Sequence, residues 1–256
     1  MRNLTSARGW RATVVACSLW LAGRAGAAPM VPFQVSDLLR AAEPFARTAT
    51  TLPEDNKLSE KWRGVERQID DEMLVLALCE EDRSRCGSPA AQKFLDIVAA
   101  GRAKDGRARA GEINRAFNLA IRPGNDIDLY GATDVWRAPL ALLSTGAGDC
   151  EDYAIAKFVA LRAAGVAVRD LRLVIMRDTL RHEDHAMASV RLDGRWWLLD
   201  NRRMAMVEDV QLSNHQPLFV LDAGGVRHYR DASVMAGAQI RMPEPAELLK
   251  LTPRVK

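Results

Sequence analysis

Thr145-Gly-Ala-Gly-Asp149-Cys150-Glu151-Asp152-Tyr153, running on into Ala154-Ile-Ala-Lys-Phe-Val-Ala-Leu-Arg-Ala-Ala164, is the stretch on which the fold turns. Its first half is a glycine-rich turn. Its second half is rich in strong helix formers, with Ile155, Phe158, Val159 and Arg162 at helical spacing, and Gly165 supplies the stop. Asp149 suits an N-cap, which puts Cys150 in the first turn of a helix that must be largely buried. Unpaired N–H groups and the helix dipole favour a thiolate over a thiol there, so a cysteine in this place is set up as a nucleophile. The plain alternative is a small buried hydrophobe, the usual lot of a lone cysteine. What lies downstream decides between them.

Residues 1–27 read as a secretion signal peptide. Arg2, Arg8 and Arg11 precede an apolar run from Ala12 to Gly23, and Ala25-Gly26-Ala27 matches a small-x-small cleavage site. The run is too short to span a bilayer, and no later stretch could cross one. One mature domain is therefore expected over 28–256, a length of 229 residues (256 less 27). The leading segment holds four Arg and no acid, so 32 basic residues (36 less 4) stand against 33 acidic ones in the mature chain. The apparent basicity belongs to the signal, and without aromatic-basic interleaving no nucleic-acid partner is expected. Cys17 leaves with the signal, and Cys79, Cys86 and Cys150 remain. An odd number in an exported protein points to one pair and one free thiol. Cys79 and Cys86 are the natural disulfide pair, bracketing Glu-Glu-Asp-Arg-Ser-Arg, with Cys150 left over. Along a straight helix they would stand ~10 Å apart, too far to bridge, so the helix carrying Leu74 to Leu78 is expected to end near Asp82.

Ala28 to Asn56 carries Pro29, Pro32, Pro44 and Pro53, as suits an extended lead-in with a short helix around Ser36 to Ala42. From Ser59 the period is helical, with Trp62, Val65, Ile69, Met73 and Leu76 on the inner face. Ser88-Pro89 starts a second helix with Phe94, Leu95, Ile97 and Val98 inside, and Gly111 to Ile121 makes a third. The basic run Arg102 to Arg109 is expected to be a solvated stretch between them. Asn125 to Trp136 reads as a polar loop. Its Asp126-x-Asp128 followed by Gly131 resembles a calcium loop, but Tyr130 occupies a ligand position and Arg137 stands where the bidentate Glu belongs, which excludes an EF-hand. After Gly165 the pattern turns to strands at Leu171 to Met176, His185 to Leu192, Arg195 to Asp200 and Pro217 to Leu221. The tail with Pro243, Pro245 and Pro253 is loosely structured at best. Helices followed by an antiparallel sheet make one α+β domain, with no repeat or linker to support a second.

Asp193-Gly194 is a strong hairpin turn. Counting outward from it sets Leu192 against Arg195 and Ser189 against Leu198, so Asp200 falls opposite Met187 and His185 lies two residues further along the same face. A helix-start cysteine, a histidine and an orienting aspartate form the nucleophile, base and orienter of a thiol acyl-transfer enzyme. Against this, His185 could be an ordinary strand histidine and Asp200 a turn residue before Asn201. His182, His215 and His228 default to surface or structural roles, and no third ligand at zinc spacing joins His182 and His185. Asp149, Glu151 and Asp152 crowd one cysteine. Without a counter-ion, Asp149 and Glu151 would raise its pKa; a hard divalent cation on those carboxylates would reverse the local field, and oxygen ligands favour calcium. Alternatively, these acids only cap the helix.

Gly148-Asp-Cys-Glu-Asp-Tyr-Ala-Ile-Ala-Lys157, with His185 heading a strand and Asp200 ending Trp196-Trp-Leu-Leu-Asp, resembles the bacterial transglutaminase-like cysteine proteinases, over roughly Ala108 to Leu221. The resemblance implies a transglutaminase-like, papain-related cysteine proteinase fold. It implies Cys150 as nucleophile, His185 as general base and acid, and Asp200 as orienter. It also implies calcium as cofactor, with Asp149, Glu151 and Asp152 as ligands. Trp136 either walls the active site near the oxyanion, as the family suggests, or belongs to the core. By the same resemblance the protein is expected to be a periplasmic cysteine endopeptidase that cuts a large cell-surface adhesin near a paired-alanine site, controlling surface attachment and biofilm. An inner-membrane cyclic-di-GMP receptor of the LapD type, acting through its periplasmic domain, is the expected regulatory partner. The rivals are a transglutaminase or other amide acyl-transfer enzyme on the same triad, and a non-catalytic adaptor that keeps the fold for binding.

Overall fold

The structure, a computed structural model, describes residues 43–230. The expected signal peptide, the short helix around 36–42 and the C-terminal tail lie outside the described residues.

The helical half comes first. Helix α1, Lys57–Glu81, begins where the Asn56 side chain accepts the Leu58 N–H at 2.9 Å, and it buries Trp62, Val65, Ile69 and Leu76 as the spacing requires. It ends at Asp82, whose extended backbone and side-chain bond to the Ser84 N–H turn the chain back. That reversal brings the Cα atoms of Cys79 and Cys86 to 4.7 Å, and the two are joined by a disulfide. Helix α2, Pro89–Arg102, is capped by Ser88. Helix α3, Gly106–Ala120, starts five residues before the expected boundary, so half of the basic run is helix rather than a solvated connection. Its first turn is polar and carries no apolar period to reveal it; Arg109 is held there by Asp105 at 3.0 Å and by the Lys104 carbonyl.

Strand β2, Arg122–Pro123, precedes the segment expected as a polar loop, and that segment contains a short helix α4, Asp126–Tyr130. Then come α5, Pro139–Thr145, strand β3, Ala147–Gly148, and the central helix α6, Cys150–Ala163. Strand β2 lies parallel to β3, with Pro123 opposite Gly148. Helix α6 is buried from Asp152 through Leu161, and Gly165 at φ +92 ends it in a conformation that L residues avoid.

The strand half is a seven-stranded antiparallel sheet in the order β1-β9-β8-β4-β5-β6-β7. The strands are β1 Ala49–Thr51, β4 Leu171–Asp178, β5 Glu183–Leu192, β6 Arg195–Leu199, β7 Val207–Glu208, β8 His215–Asp222 and β9 Gly225–Tyr229. The β5–β6 register is the expected one: Leu192 faces Arg195, Ser189 faces Leu198 and Ala188 faces Leu199. One sheet face packs on α6 and the other helices through Leu171, Leu173, Ala188, Val190 and Leu221. The opposite face, with Val174, Met176, Leu198 and Tyr229, is covered by Phe45, Ala49 and Leu212. The fold is thus the α+β, transglutaminase-like one, and it sets the first turn of α6 against the start of β5.

Candidate active site

Cys150 is half-buried at the N-terminus of α6, and it is the free cysteine of the described residues. Its sulfur faces the backbone N–H of Ala186, the residue after His185 on β5. The thiol also donates to Glu151 Oε2 at 2.9 Å. Burial pushes the thiol well above its ordinary range, and the charge of Glu151 pushes the same way, against the Ala186 N–H. The helix start alone does not make a thiolate here.

His185 is buried, and its Nε2 lies 2.9 Å from Asp200 Oδ1. Asp200 follows the last residue of β6, where the hairpin register delivers it to His185. Burial alone would raise the Asp200 carboxyl. Hydrogen bonds from His185 and the Arg202 N–H outweigh that and hold it below the usual carboxylate range. An ionised Asp200 accepts from Nε2–H, which leaves the lone pair on Nδ1, and that buried nitrogen has no hydrogen-bond partner. The side chain of Asn118 on α3 secures the same corner by donating to the Asp200 carbonyl at 2.9 Å.

The acids beside Cys150 are not used alike at the helix start: the Asp152 carboxylate accepts the Asp149 backbone N–H. Asp149 stands at the N-cap position but makes no cap hydrogen bond. One carboxylate oxygen each from Asp126, Asp149 and Asp152 lie within 4.8 Å of one another. Each of the three also keeps a buried oxygen without a hydrogen-bond partner. Burial, then the neighbouring Glu151, Asp152 and Asp126 charges, raise Asp149 to about 9. Burial followed by the Asp126 charge raises Asp152 to about 7, although its Oδ1 accepts the Arg137 N–H at 2.8 Å. Glu151 lies outside this threesome, with its carboxylate on the thiol. Crowded carboxylates with orphaned oxygens fit a hard cation, which oxygen ligands alone would hold.

Asp126 is the residue that sequence reasoning missed. The loop it opens is not an EF-hand, yet pairing of β2 with β3 and a Gly124 N–H bond to the Gly148 carbonyl at 2.9 Å bring it beside Asp149. Gly148 is required at this crossing. A Cβ there would lie 2.5 Å from Asp152 Oδ2 and 2.6 Å from Leu142 Cδ1. Trp136 is buried and tied down, its Nε1 donating to Asp134 Oδ1 at 3.0 Å with the Lys61 ammonium 5.2 Å from its ring centre. It lines a cleft of about 630 Å³ together with Asp149, Glu151, Ile175, Asp184 and Phe219. Trp136 thus lines this cleft and at the same time packs in the hydrophobic core.

A helix-start cysteine set against a strand-borne His–Asp pair defines the transglutaminase-like class of thiol acyl-transfer folds. Residues 71–216 match the family of bacterial transglutaminase-like cysteine proteinases, and the chain belongs to that family. Among solved structures, Legionella pneumophila LapG is 21% identical and superposes with a TM-score of 0.52 over 64% of this chain and 91% of its own. The calcium-bound form of Legionella pneumophila LapG gives 21% identity and 0.52 over 69% and 97%. Its EGTA-treated form gives 20% and 0.52 over 70% and 95%. At this identity the likeness is one of fold. No curated protein matches the chain. No helix among the described residues is long and apolar enough to cross a membrane.

Proposed function

We propose that this protein is a calcium-dependent cysteine endopeptidase of the periplasm, exported by a signal peptide over residues 1–27, which cleaves a large cell-surface adhesin near a paired-alanine site and so controls surface attachment and biofilm. One observation carries the catalytic part: His185 gives Nε2 to Asp200 and keeps Nδ1 bare, on the strand whose next residue faces the Cys150 sulfur. Nδ1 takes the thiol proton and Cys150 Sγ attacks the peptide carbonyl. The Cys150 backbone N–H, free at the helix start, is one donor to the oxyanion. His185 returns the proton to the leaving amine, and water then releases the acyl-enzyme with His185 as base again. Asp200 holds the imidazole in the required tautomer throughout.

Asp126, Asp149 and Asp152 would hold calcium, with Glu151 beside them on the thiol. Bound there, the ion supplies positive charge that neutralises the crowded carboxylates and fixes the turn carrying Cys150. An inner-membrane cyclic-di-GMP receptor of the LapD type is the proposed regulator. Incubation of the mature chain with amino-terminal adhesin fragments containing paired alanines, with calcium or with chelator, tests the proposal. Two fragments with calcium and none in chelator are expected. A heavier adduct in place of fragments would make it a transglutaminase, and an unaltered substrate at any calcium level would leave only an adaptor.

A further inference from the structure

Lys157 is the least expected charge in the molecule. It lies seven residues after Cys150, two turns along the same face of α6, and it is fully buried. Its ammonium donates to the Leu199 carbonyl at 3.3 Å and stands 5.5 Å from the Tyr153 ring centre. Three donors are thus served by one long hydrogen bond and a ring face. Burial drives its pKa down to about 7, opposed by the Asp200 charge. A buried, poorly solvated ammonium costs several kcal/mol, and an apolar side chain of the same length would serve packing better. Packing therefore does not account for a lysine here.

Its surroundings do. Leu199 is the last residue of β6, and Asp200 comes next. The Lys157 charge in turn helps hold Asp200 ionised. The other cation near that carboxylate, Arg203, sits 3.6 Å from Oδ2 but its side chain is 53% exposed, so solvent screens it far more than a buried ammonium. We propose that Lys157 is a positioning residue for the catalytic pair: it tethers the end of β6 through the Leu199 carbonyl and places a buried positive charge against Asp200, so that the carboxylate stays aimed at His185. The inference rests on the reading of Cys150, His185 and Asp200 as the reacting set.

The test uses the mature chain in saturating calcium. Lys157→Met should melt no lower than the wild type, because a buried charge is replaced by an apolar chain of similar length. Its kcat should nonetheless fall about tenfold with KM unchanged, since the buried charge that helps keep Asp200 ionised and aimed at His185 is lost. In an Asp200→Asn background the same change should cost nothing further, because its target is gone. Wild-type kcat in Lys157→Met, or an undiminished loss in the Asp200→Asn background, overturns the inference. Should Lys157→Met not fold, the titration of carbon-13-labelled Lys157 in the otherwise native chain decides. It should move to lower pH in Asp200→Asn, and an unmoved titration overturns the pairing. Absence of cleavage by the wild type would instead overturn the peptidase reading, and with it any catalytic consequence of Lys157.

Discussion

The two sides of Cys150 are built on opposite electrostatic terms. On the strand side every charge meets its complement: Asp200 meets His185, the Arg202 N–H and the Lys157 charge, and its carboxyl is held low. On the helix side, Asp126, Asp149 and Asp152 face one another, one oxygen of each is left without a partner, and Asp149 and Asp152 are pushed to about 9 and about 7. The fold finishes the first side by itself. The second has the chemistry to take a cation as its complement, and because it adjoins the sulfur, an ion bound there would act directly on the nucleophile.

The largest effect expected is from Cys150→Ala, which joins the two sides. It should abolish cleavage, by ~10⁴-fold or more, with melting temperature and calcium binding intact, and His185→Ala should cost nearly as much. Full cleavage by the Cys150 variant would end the mechanism. Next, a chelator should stop turnover and added calcium restore it, while Asp126→Ala, Asp149→Ala and Asp152→Ala each copy the chelated state. Calorimetry on these variants separates ligands from bystanders: Glu151→Gln, which changes the group on the thiol, should weaken calcium binding less than Asp126→Ala. Asp200→Asn should lower kcat by ~10²–10⁴-fold and leave calcium affinity untouched, since it belongs to the other side. Lost calcium binding in that variant would merge the two sides into one.

Smaller again is the pH dependence of stability. The folded-state values of Asp149 and Asp152 lie above their ordinary 3.8. Without metal, their contribution is therefore fully present below about pH 4 and is lost as pH rises through about 7 and about 9. Calcium bound there would relieve that loss, so the stabilisation by a fixed calcium concentration should grow between pH 5 and pH 8, reaching ~3 kcal/mol where that concentration is a hundred times Kd. A stabilisation that shrinks over that range would show that the carboxylates are not what the ion meets. Replacing both Cys79 and Cys86 by Ser, far from either side, should cost about 2–3 kcal/mol of stability and leave kcat unchanged.

Much of this was legible in the sequence because it is local. The Asp193-Gly194 turn fixed the β5–β6 ladder, and the ladder placed Asp200 by His185. The glycine turn before an alanine-rich helix placed Cys150, and the odd cysteine count paired Cys79 with Cys86. What escaped depends on distant neighbours. Asp126 reaches Asp149 only because two-residue strands β2 and β3 run side by side, and strands that short leave no alternation to read. Glu151 and Asp149 look alike in sequence, yet one bonds the thiol and the other joins the carboxylate cluster. Lys157 occupies a helical position that would suit a solvated residue, and only the packing of α6 under the sheet reveals that it is buried.

One feature of the sheet bears on how the molecule comes into being. Its edge strand β1 lies near the start of the described chain and pairs with β9 near the end, Thr50 beside His228, and Arg230 bonds Thr50 across 180 positions of sequence. Trp62 of α1 ties in the same hairpin through the Asp222 carbonyl at 3.0 Å. Such pairings are the slowest to form, because a long loop must close before any contact repays it. A polypeptide that emerges from its N-terminus can collapse α1 to α3 early, but the edge of the sheet waits for residue 229. Until then the uncovered edge of β8 offers bare backbone to any passing strand, and pulse-labelled hydrogen exchange should find the amides of β1 and β9 the last to gain protection.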